Sequence, residues 1–151
     1  MPWPLRRAAE RAVGGGRSLA GVPLRILAPA KREKVTGTGA VEGLAAPAAG
    51  THLRVLVRRK DLAGWWPQAG GPITVCERRW QAAVRYGEAR DAGFDFEIAA
   101  LVVGETTHRK WMAWVERAQA GQVVPVQLPS SQFFLGEDYR TVTKTADLVG
   151  A

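Results

Sequence analysis

Phe94-Asp95-Phe96-Glu97-Ile98-Ala99-Ala100-Leu101-Val102-Val103 alternates with a period of two. One parity carries Phe94, Phe96, Ile98, Ala100 and Val102; the other carries Asp95, Glu97, Ala99, Leu101 and Val103. Neighbouring side chains on a strand point to opposite faces, so the pattern predicts a strand that begins half-exposed and ends buried on both sides. Three shorter stretches upstream follow the same period. In His52–Arg58, Leu53, Val55 and Val57 oppose Arg54, Leu56 and Arg58; in Arg79–Tyr86, Trp80, Ala82, Val84 and Tyr86 oppose Gln81, Ala83 and Arg85; Ile73–Cys76 is the shortest. The dry faces of such strands must be buried against each other or against a helix. The short spacings favour antiparallel pairing over crossovers, which predicts a small sandwich.

Upstream of these strands, Leu24–Pro29 reads as a short strand ending at a proline, followed by a charged turn over Lys31–Lys34. Val35–Gly43 is expected as a second strand, whose glycines would let the facing sheet approach closely. Leu44–Gly50 is a loop. Downstream of Val103 the period changes. Trp111, Trp114, Val115 and Ala118 fall at helical spacing, predicting a helix over about 106–120, capped by Thr106 or Thr107 and stopped by Gly121. An open end or edge of the sandwich is the expected resting place for its Trp stripe. Val123–Pro129 is expected as an extended connection, and Tyr139–Thr145 as a polar-alternating final strand, before a frayed tail at Ala146–Ala151.

Leu24-Arg25-Ile26-Leu27-Ala28-Pro29 followed by Val35-Thr36-Gly37-Thr38-Gly39-Ala40-Val41-Glu42-Gly43 resembles the opening of bacterial immunoglobulin-like modules, in which an alternating strand ends at Ser-Pro and a Val-x-Gly strand follows. Ala28 stands where the serine is usual, and Gly39 and Ala40 where β-branched residues are. The resemblance extends over residues 23–145, about four-fifths of the chain. It implies an all-β, immunoglobulin-like antiparallel β-sandwich of about seven strands, with one α-helix inserted before the last strand. It also implies an accessory domain of a bacterial protein, of the kind that accompanies signalling or effector parts. Fold alone does not set function.

Length and charge narrow the classes. One domain is expected of 151 residues, with 22–145 as the sandwich. The net charge of +7 suggests nucleic acid until it is mapped: residues 1–34 contribute +6 and all the rest only +1. Residues 1–21 are therefore expected as a basic, flexible leader with room for a short helix over Leu5–Val13. Sixteen of the 21 basic residues are arginine, amid abundant alanine and glycine, which fits the coding bias of a GC-rich genome. A single cysteine, Cys76, permits no internal disulfide. No apolar run is long enough to span a membrane, and Met1–Val13 lacks the apolar segment of a signal peptide, so a cytoplasmic location is expected.

No catalytic constellation can be assembled, and the expectation is a non-enzymatic binding module with no cofactor, no metal and an unknown protein partner. Trp65, Trp66 and Gln68, beside Gly70 and Gly71, form the most distinctive local feature. Adjacent tryptophans on a strand cannot both point inward, so one either presents a stacking surface or covers a sheet edge against the helix. Arg109 and Lys110 lie on the polar side of that helix. A first alternative is a nucleic-acid or anionic-surface binder using Arg6, Arg7, Arg11 and Arg17. A second is a carbohydrate-binding module built on Trp65 and Trp66. His52 and His108 lack metal-ligand spacing and read as surface or capping residues. Cys76 reads as a small strand residue, and Asp95 with Glu97 as a solvated sheet face. Gly14–Gly16 with Arg17 and Ser18 lacks the spacing and the lysine of a phosphate loop.

Overall fold

The computed structural model describes residues 24–68, 73–121, 125–128 and 134–146. Strands β1 (Arg25–Ala28), β3 (Thr38–Leu44) and β6 (Arg79–Arg85) form one sheet in the order β1-β3-β6. Strands β2 (Lys34–Val35), β4 (His52–Arg59), β5 (Trp66–Pro67), β7 (Asp95–Val103) and β8 (Gly136–Lys144) form a second, in the order β2-β8-β7-β4-β5. All neighbours are antiparallel except β2 and β8, which run parallel. The described residues are all-β in class, with two sheets and a single α-helix, α1 (Glu105–Gln119).

Burial follows the two-residue period. Leu53, Val55 and Val57 of β4, Trp80, Ala82 and Val84 of β6, and Phe96, Ile98, Ala100 and Val102 of β7 meet Ile26, Val41 and Val142 in one core. The opposite parity of β7 is also dry. Ala99, Leu101 and Val103 join Leu56, Trp65 and Trp111 in a second cluster on the outer face of the five-stranded sheet. The helix therefore lies over that outer face on its β4–β5 side, with Trp114 against Trp66 of the edge strand β5, and its Trp111 also covers the dry outer parity of β7.

Three local expectations are corrected. Val35–Gly43 is two strands: Lys34–Val35 pairs with β8, and after Thr36 and Gly37 the chain crosses to the other sheet as β3. Close approach is needed at Gly43 rather than Gly39. A Cβ on Gly43 would collide with the Trp80 indole and the Arg25 carbonyl, both in its own sheet rather than the facing one. Ile73–Cys76 keeps only an isolated bridge, Cys76 to Arg79. Those two residues exchange backbone bonds of 2.8 and 2.9 Å across a turn in which Glu77 (φ 53°) and Arg78 (φ 68°) are left-handed. Finally, Gly104 caps α1 with no side-chain bond. Strand β7 runs to Val103, so one residue separates strand from helix, and Thr106 and Thr107 fall inside the first turn.

Side chains stitch the two sheets together at both edges. On one side Asp138 accepts the Ile26 N–H at 2.7 Å, while Arg140 donates to the carbonyls of Pro29 and Ile26. On the other, Gln68 accepts the Arg85 N–H at 2.7 Å and donates to the Trp66 carbonyl at 2.9 Å. Lys144, only 1% exposed, donates from Nζ to the carbonyls of Tyr86 and Glu88 at 2.7 and 2.6 Å.

Candidate functional site

The antiparallel register of β4 and β7 sets His52 opposite Val103, so the start of β4 meets the start of α1. Here the His52 and His108 rings stack, with centroids 3.6 Å apart and planes within 5°. His52 Nε2 lies 2.7 Å from Glu105 Oε1, and the other carboxylate oxygen accepts from Arg109 Nε at 2.9 Å. The hydrogen bonds to His52 and Arg109 hold the Glu105 carboxyl below its ordinary range, the bond to His52 contributing most.

Beneath the helix sits Arg54, on the outward parity of β4 and only 4% exposed. Its Nη1 donates to Met112 Sδ at 3.2 Å, and no carboxylate lies within ion-pair distance of it among the described residues. Burial alone pushes its pKa down. His108 is also pushed below its ordinary value, first by desolvation and then by the positive fields of His52 and Arg54, against the pull of Glu105. Its Nδ1 is buried without a hydrogen-bond partner.

These groups line a cavity of about 160 Å³ bounded by Pro47, Thr51, His52, Leu53, Arg54, Ile73, Val75 and His108. The lining combines cationic and polar groups with hydrocarbon, since Leu53, Ile73 and Val75 belong to or pack on the main core. Chemically the cavity is amphiphilic, setting a guanidinium, two imidazoles and a hydroxyl beside hydrocarbon. No cluster of three or more metal-ligating side chains occurs among the described residues.

The residues singled out in the sequence are dispersed elsewhere. Trp65 is buried at 6% exposure, under the Arg58 guanidinium (4.6 Å to the ring centroid) and near Tyr139. Trp66 is half-buried, with Trp114 edge-on at 6.0 Å. Both tryptophans thus face the helix or its sheet. Gln68 serves the stitch between β5 and β6. Arg109 and Lys110 are exposed on α1. Glu97 is engaged by Arg58 at 2.8 Å, and Asp95 accepts from the Thr143 hydroxyl at 2.8 Å. Cys76 is exposed. Arg6, Arg7, Arg11, Arg17, Gly70 and Gly71 lie outside the described residues, as do residues 147–151.

Arg54 and the paired histidines were not singled out as a site by spacing. One sequence signal did exist: Arg54 shares a strand face with the apolar Leu56, opposite the face of Leu53, Val55 and Val57. No helix among the described residues is long and apolar enough to cross a membrane. Neither protein-family models nor curated proteins match this chain.

Proposed function

We propose that this chain is a non-enzymatic binding module of the immunoglobulin-like kind, and that it takes its ligand at the His52–Arg54–His108 end of the sandwich. The observation that carries the site is the buried side chain of Arg54, which has no acidic partner among the described residues. A buried cation is costly unless paired, and one that faces a cavity is suited to pairing with a group from outside. The immunoglobulin-like reading is supported by strand order: β1, β3 and β6 oppose a sheet in which β2, near the start, runs parallel to β8, near the end. Such a scaffold offers rigid strand ends from which loops and side chains bind.

The test is a panel of small metabolites screened by amide and imidazole chemical shifts. Saturable shifts clustered on His52, Arg54 and His108, with the ligand recovered unchanged and the response kept after deletion of residues 1–21, are expected. Binding of nucleic acid only at low salt, lost with that deletion, would move the function to the basic arm. Sugar-dependent shifts confined to Trp66 would favour a carbohydrate module instead.

A further inference from the structure

We infer that the ligand of this cavity is a carboxylate bearing a short apolar tail, its oxygens on Arg54 and His108 and its tail against Leu53, Ile73 and Val75. The inference rests on the site assigned under Proposed function and adds the chemistry of the guest. Three observations set it. Arg54 is 4% exposed and lines the cavity, and among the described residues its guanidinium has only a thioether as hydrogen-bond partner. A planar fork of N–H donors matches a carboxylate in two-point geometry. Secondly, His108 Nδ1 is buried and unpartnered in a residue of the same lining, a further site for a proton shared with an oxyanion. Thirdly, Leu53, Ile73 and Val75 make part of the lining hydrocarbon, which suits an alkyl group and would leave a wholly hydrophilic anion such as phosphate poorly solvated.

Size fixes the tail. A cavity of about 160 Å³ compares with roughly 150 Å³ for an apolar cavity that admits benzene, so six or so heavy atoms fit. Butyrate has that size, and so has the carboxylate end of a peptide whose last residue is small and aliphatic. Both present the same chemistry.

Charge around the site gives the pH dependence. Strand β4 contributes Arg54 and His52; α1 contributes His108, Glu105 and Arg109; the lining residues of the other two segments, Pro47, Thr51, Ile73 and Val75, carry no ionisable group. Glu105 is already shared by His52 and Arg109, so it leaves Arg54 to the guest. A bound carboxylate favours the protonated form of His108, which the free protein disfavours. By linkage, affinity rises as pH falls through the lowered pKa of His108.

The experiment titrates the full chain with butyrate, butyramide and inorganic phosphate, following the imidazole carbon-bound protons of His52 and His108 between pH 7.5 and 5.5. Butyrate is expected to saturate at about 1 mM, the amide and phosphate at least tenfold more weakly, and the butyrate affinity to increase towards the acid end. Arg54→Gln should abolish the selectivity for butyrate over butyramide. His108→Gln, on a half-buried helical position, should flatten the pH profile, and Arg117→Gln at the far end of the helix should change neither. The comparison of acid with amide needs no variant, so it stands even if Arg54→Gln fails to fold. Equal binding of butyrate and butyramide would overturn the carboxylate assignment while keeping the cavity as the site. No saturable shift from any of the three would overturn both. A peptide ending in Ala-Val with a free carboxylate, run beside its C-terminal amide, identifies the source: tighter binding than butyrate assigns the guest to a chain end, and weaker binding assigns it to a free acid.

Discussion

The turn at Glu77 and Arg78 is the place where single residues carry the plainest conformational cost. Both sit at positive φ, where a Cβ crowds the following carbonyl by roughly 1–2 kcal/mol. The geometry is that of a two-residue hairpin turn, which Asn-Gly satisfies best. The double substitution Glu77→Asn/Arg78→Gly is expected to stabilise the protein by about 1 kcal/mol, after the entropy that glycine costs, and to raise Tm by roughly 2–4 °C in calorimetry. An unchanged or lower Tm would show that the side chains of Glu77 or Arg78 contribute more than their strain removes. The candidate site was illegible at this scale for a related reason. Arg54, His52 and His108 are 56 residues apart at most in sequence, and their meeting depends on the register between two non-consecutive strands and on a helix start that follows one of them. Spacing rules detect ligands on one element, and this constellation is spread over two.

Elements were more readable than sites, because a period of two or of 3.6 is a local property. The β7 stretch announced two dry faces, and both exist; the Trp stripe announced a helix, and Trp111, Trp114 and Val115 are buried as that stripe demands. What the pattern did not specify was which dry surface the stripe would cover, since that needs the sheet order. The same limit explains the divided second strand: Thr36 and Gly37 mark a transfer between sheets, which alternation alone cannot reveal. If the helix is held mainly by its Trp contacts on Ala99, Leu101 and Val103, Trp111→Ala should cost about 3–5 kcal/mol in denaturant unfolding. Arg117→Ala, on the exposed side, should stay within roughly 0.5 kcal/mol. Comparable losses for the two would mean that the helix is held by something other than its buried stripe.

At the scale of the whole molecule, ionisation of the phenols reports on global folding. The chain has two tyrosines, Tyr86 and Tyr139, and both ionise less readily than in the unfolded chain. Burial, with a smaller contribution from Glu33, pushes Tyr86 up to about 12. A phenol whose folded pKa is raised stabilises the fold fully below the unfolded value of about 10, and that contribution fades as pH rises towards 12. The loss amounts to roughly 2–3 kcal/mol for Tyr86. The Tyr86 share of the phenolate absorbance should therefore appear only together with loss of the circular-dichroism signal; ionisation of both tyrosines while that signal persists would show that Tyr86 is open to solvent in the folded state. The parallel pairing of β2 with β8 bears on how the molecule would carry tension. Arg32 and Thr145 donate to Thr141 and Val35, and Thr143 donates to Glu33, at 2.8, 2.8 and 3.0 Å. Parallel neighbours drawn from opposite ends slide along each other, so these bonds bear load together instead of opening one by one. Pulled by its two ends, the sandwich is built to resist as a clasp in shear, with the Asp138 and Arg140 stitches holding β1 to the strand that takes the strain.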